Sequence, residues 1–147
     1  MIAGFARSCM NPPTGTRMMG FGTRDRGPGS ESIRDDIFVR ALYLEYEGEI
    51  AVIATFDMCF IGRHDSDRYK AVLGRILDIA PRQILLNSSH SHVGPASGWW
   101  AYGDYLPTDM LYLGELEDRI VTAVTTARDS ARDVTIRAGM GKSKVPM

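Results

Sequence analysis

Three successive patterns between residues 50 and 88 constrain the fold more than anything else in the chain: IAVIATF, an amphipathic stretch, and ILLNS. Residues 50–56 are apolar without alternation, the composition of a central strand covered on both faces. From Ser66 to Ile79 the apolar residues Tyr69, Val72, Leu73, Ile76 and Leu77 recur at intervals of three and four, which predicts a helix. Asp65, Ser66 and Asp67 supply capping and dipole-favourable charge at its start, and Pro81 bars its continuation. Strand, helix and strand in this order form a βαβ unit. Its crossover should be right-handed and its two strands parallel, since a right-twisted strand feeding a helix packs back on the sheet only that way. Asp57 and His90 then leave the sheet at the same edge, and open α/β sheets bind ligands outside the carboxyl ends of their strands.

The flanking sequence extends this unit into a mixed sheet. Residues 37–46 and 50–56 are rich in β-formers and are separated by Glu47, Gly48 and Glu49, the pattern of an antiparallel hairpin. Residues 2–7 fit a first strand that ends before Asn11, Pro12 and Pro13, because proline has no amide hydrogen for a ladder. From Thr108 onward, Leu113, Leu116, Ile120, Val124, Ala127 and Ala131 keep helical spacing, with Asp109 favourably placed at the amino end. VTIRAG at 134–139 alternates apolar and polar residues, which predicts a closing strand wet on one face. The expected class is therefore α/β: a mixed sheet with a right-handed βαβ unit and covering helices. Residues 14–32, rich in glycine and holding Arg17, Arg24 and Arg26, show no period and read as a long loop.

Bulk properties narrow the function. At 147 residues one core is the natural count, and such a domain needs neither disulfide nor structural metal to fold. Cys9 and Cys59 have no zinc-ligand spacing and form no disulfide framework. A net charge of -1 argues against a nucleic-acid partner. No stretch has the length and apolarity of a transmembrane segment. MIAGFARS lacks the charged start and long apolar run of a secretory signal.

The chemistry concentrates in QILLNSSHSHVGPASGWW, residues 83–100. A buried strand breaks into small polar residues and delivers His90 and His92 before Gly94 and Pro95 turn the chain. Imidazole is the commonest protein metal ligand. Two so placed either share one cation or divide the work between metal and proton, and spacing alone does not choose. Histidines hydrogen-bonded to loop backbone give the same pattern. Trp99, Trp100, Tyr102 and Tyr105 follow in a glycine-rich loop and can line an apolar substrate groove, although large aromatics are also core material.

Taken in order, AGFAR, the following PP, MMGFG, VRALYL, the strand ending in FDM, and SSHSHVGP resemble the start of the neutral, non-lysosomal ceramidases and their bacterial relatives. That family writes G-F-A/S-K/R, D-I-T-P-P, M-x-G-Y/F with a nearby arginine, a strand with R-A, a strand ending in aspartate, and H-T-H-S-G-P. The resemblance spans essentially the whole chain and implies the amino-terminal part of a catalytic domain that hydrolyses the amide of N-acylsphingosines with Zn2+. By position it makes His90 the zinc ligand and His92 the catalytic residue beside the metal. Asp57 becomes a carboxylate orienting a histidine through its ring N–H. Arg24 matches the nearby arginine, and with Trp99 and Trp100 is expected to bind substrate, a small lipid-like amide reached by contact with a membrane surface. SCMNPP lacks the aspartate of the D-I-T-P-P turn, and Ser91 and Val93 alter the motif interior. The family's other zinc ligands, a second histidine, a glutamate and a tyrosine, have no counterpart here, so the resemblance also implies an incomplete site, inactive on its own. A non-catalytic binding module is the alternative. The amidohydrolases expect a barrel repeat and the metallo-β-lactamases HxHxDH, whereas Val93 and Gly94 follow here.

Overall fold

A computed structural model describes residues 1–20, 29–97 and 107–142. Five strands form one sheet: β1 Ile2–Cys9, β2 Phe38–Tyr46, β3 Glu49–Phe56, β4 Ile84–Ser88 and β5 Arg132–Asp133, in the spatial order β4-β3-β2-β1-β5. β4 runs parallel to β3, and every other pairing is antiparallel. The parallel pair is joined through helix α1, Arg63–Leu77, and a short 3-10 turn at Pro81–Gln83, so the strand–helix–strand unit expected from the sequence is present. Helix α2, Pro107–Asp129, lies across β1 and β2.

The hairpin turn explains the β2–β3 register. Tyr46 pairs with Glu49, leaving Glu47 and Gly48 as a two-residue loop with φ of 51° and 81°. Positive φ at both central positions matches the right-handed twist of the strands. The core lies between one face of the sheet and the two helices. Val39, Ala41, Tyr43, Val52, Ala54, Phe56 and Ile84 meet Tyr69 and Leu73 of α1 and Tyr112, Leu116, Ile120 and Val124 of α2. Gly4 allows the closest approach, since a Cβ there would stand 1.8 Å from the Ala127 carbonyl oxygen.

The opposite face differs from expectation. Among the described residues no element covers β3 there, and the row Phe5, Leu42, Ile53, Leu85 runs in register across four strands. Phe5 is 60% exposed and Leu85 56%. Two boundaries also shift. α1 begins at Arg63 with Gly62 as an N-cap lacking a side-chain bond, so Asp65 lies within its first turn, still favourable to the dipole. The helix stops when Asp78 turns left-handed, at φ 55°. The alternating VTIRAG segment is not a strand. Arg132 and Asp133 pair with Ala3 and Ile2, Val134 N–H donates to the Met1 carbonyl, and past that bond residues 134–139 have no ladder partner among the described residues. Ile136 is consequently exposed.

Candidate metal centre at the carboxyl edge of the sheet

Beyond β3 and β4 the chain makes two loops that bind each other through backbone groups. Ser89 N–H donates to the Phe56 carbonyl, Cys59 N–H to that of Pro95, and Ser97 N–H to that of Phe60. Gly94 packs where a Cβ would stand 2.6 Å from the Asp57 carbonyl oxygen, so a larger residue would push the loops apart. The buried Ser97 hydroxyl accepts from Gly62 N–H at 3.1 Å, tying the same loop to the start of α1. A third segment joins them, with Met19 N–H donating to the Gly94 carbonyl.

His90 stands on this frame in the left-handed backbone region, at φ 59°. That conformation is uncommon for a side-chain-bearing residue and persists where its surroundings fix it. Its Nδ1 lies 2.9 Å from the Cys59 carbonyl oxygen. A carbonyl only accepts, so Nδ1 carries the proton and Nε2 of the neutral ring presents a lone pair. The His92 ring stands edge-on to that of His90, with centroids 5.0 Å apart. Gly20, at φ 112°, packs against it, and a Cβ there would come within 2.4 Å of the His92 ring.

The folding adds a residue that sequence spacing did not reveal. Cys59, buried at 3% exposure, brings its Sγ to the histidines, and one ligand-capable atom from each of Cys59, His90 and His92 lies within 4.8 Å of the others. A thiolate with imidazoles is a borderline-soft donor set of the kind that suits zinc, so the residues present fit that ion. Both histidines are exposed, which leaves the cluster open on one side. The third histidine, His64, lies elsewhere, on α1 and 91% exposed.

Asp57 does follow β3 at this edge, but its carboxylate faces β2. Arg40 Nη1 donates to both oxygens at 2.8 Å, and the Phe38 amide donates to Oδ2 at 3.0 Å. The group that holds the ring N–H of His90 is the Cys59 carbonyl, where sequence reasoning had placed Asp57. Arg24, Trp99 and Trp100 lie outside the described residues. The described part of the glycine-rich loop is anchored by a buried ion pair: Arg17 Nε and Nη2 reach Asp109 Oδ2 at 2.8 and 2.7 Å, and Arg17 N–H donates to Oδ1 at 2.9 Å. Beside this loop a cleft of about 440 Å³ opens among Pro12, Met18, Ile33, Ile37 and Val93, the last adjoining His92 in sequence.

The mixed α/β sheet with its covering helices has a ceramidase-like fold. Two solved structures share it: neutral ceramidase from Pseudomonas aeruginosa, with a TM-score of 0.74, and a ceramidase complexed with C2, with a TM-score of 0.71. Each is 16% identical to this chain and covers 89% of it. The chain spans only 22% and 21% of their respective lengths. No family model matches the sequence, and no curated protein matches it.

Proposed function

We propose that this chain is the amino-terminal portion of a zinc-dependent amide hydrolase of the ceramidase kind, acting on N-acylsphingosines or related lipid-like amides. The observation that carries the reading is the Cys59–His90–His92 cluster, set at the carboxyl edge of a sheet with a ceramidase-like fold. His90 is the metal ligand, through the Nε2 left available when Nδ1 donates to the Cys59 carbonyl. Zinc, when bound, supplies Lewis acidity for attack on an amide carbonyl. His92 carries the proton: it withdraws one from the attacking water and returns it to the leaving nitrogen. Gly20 backed against the ring keeps it turned towards His90. The cleft beside Val93, walled by Met18, Ile33 and Ile37, accommodates an acyl chain, and Arg24, Trp99 and Trp100 complete the substrate contacts. A lipid amide would be met by contact with a membrane surface, and no helix among the described residues is long and apolar enough to cross one.

The test uses the product of the gene's full reading frame and a fluorescent N-acylsphingosine, with a short-chain amide alongside. His90→Ala should lose zinc and hydrolysis together. His92→Ala should keep zinc and lose on the order of 100- to 1000-fold in rate, the usual contribution of a positioned proton carrier. A zinc-loaded protein that cleaves neither amide would leave a non-catalytic binding module as the better account.

A further inference from the structure

Building on that hydrolase reading, we infer that Cys59 is itself a metal donor, so that this chain offers the ion a thiolate as well as an imidazole. Three observations converge on it. Its Sγ lies within 4.8 Å of a ring nitrogen on each of His90 and His92, while donors sharing one zinc at 2.0–2.3 Å bonds stand roughly 3–4 Å apart. Both imidazoles are exposed, so small ring rotations close the difference. The Cys59 backbone is held at both ends of its own residue, by N–H donation to the Pro95 carbonyl and by its carbonyl accepting from His90 Nδ1. One residue therefore fixes the tautomer of the neighbouring ligand and presents its sulfur to the same space. That backbone arrangement is how metal-bound histidines are usually oriented, the second ring nitrogen being held by a carbonyl or carboxylate.

A buried cysteine more often serves as a small hydrophobe. Here the sulfur is walled on one side by Ala96, Met19 and Phe60, yet on the other it meets two imidazoles on a loop that keeps His90 at φ 59°. Core packing alone requires neither the rings nor the strained backbone. On binding, the S–H bond breaks, its proton leaves to solvent, and a metal–sulfur bond forms. His92 keeps its proton-carrying role, within reach of both donors. The soft ligand selects zinc or cobalt over magnesium and calcium.

Cobalt(II) as a spectroscopic stand-in for zinc tests this on the freshly reduced product of the gene's full reading frame. Cobalt added to the unaltered chain should produce a near-ultraviolet thiolate-to-metal charge-transfer band, with one cobalt bound. Cys9→Ser and His92→Ala should retain the band. Cys59→Ser should abolish it and weaken cobalt binding by more than the ~10- to 100-fold that loss of an outer partner costs. Circular dichroism checks that this variant still folds, and zinc X-ray absorption of the unaltered chain, showing one sulfur at about 2.3 Å, makes the same point without a variant. Cobalt bound through His90 with no sulfur band overturns the thiolate and leaves the metal reading intact. A full reading-frame product that binds no cobalt overturns both.

Discussion

His90 and His92 could be picked out from the sequence because both sit in one short motif after a recognisable strand. Cys59 could not, since it lies 31 residues from His90 in sequence and joins it only when two strand ends fold into facing loops. Asp57 was visible as a strand-ending carboxylate, but its partner was not, because the choice between a histidine and Arg40 depends on which way the side chain turns. Asp57→Ala should therefore cost stability, about 1 kcal/mol for a half-exposed pair and one amide bond, and leave cobalt affinity unchanged. Urea unfolding and cobalt titration of the same variant measure the two effects. An equal loss of metal affinity would return the orienting role to Asp57. Gly20→Ala should act on the site as well as straining the backbone at φ 112°. Its Cβ at 2.4 Å from the His92 ring must displace that ring, so the His92 imidazole resonances should move and amide hydrolysis fall, while the core-reporting methyl signals stay in place.

Elements with strong periodicity were readable, and those decided by whether a partner lies alongside were not. The hairpin and both helices announce themselves through β-formers around Glu47-Gly48 and through three-and-four spacing in α1 and α2. VTIRAG carries an equally clear alternation, yet a strand needs a neighbour, and past Asp133 none lies beside it among the described residues. At the hairpin, Glu47 occupies a left-handed position that asparagine adopts more readily, so Glu47→Asn should raise stability by up to ~1 kcal/mol in thermal unfolding. Asp109 joins α2 to the glycine-rich loop through Arg17 with both side chains buried, and Asp109→Ala should cost on the order of 3–5 kcal/mol by stranding the guanidinium. In α1, burial first and the nearby Asp65 second push the Tyr69 phenol up to about 12 from 10.0. A raised pKa favours the neutral form in the fold, so this contribution is complete below pH 10 and is lost as pH rises through 12. Tyr69→Phe should flatten that part of the alkaline decline, as read by urea unfolding at successive pH values.

For the whole molecule, the class and strand pairing were within reach of the sequence, whereas the open sheet face was not. IAVIATF looks like a strand covered twice, but Ala51, Ile53 and Thr55 point away from the helices, and Ile53 joins the Phe5–Leu42–Leu85 row. The central claim, that the paired histidines belong to a metal-dependent amide hydrolase, is tested most directly by removing and restoring the ion. The full reading-frame product is stripped with a chelator, zinc is added back, and release of fatty acid from N-acylsphingosine is followed. Hydrolysis should vanish on stripping and return with zinc. Hydrolysis indifferent to the chelator, or absent with zinc in place, would contradict it.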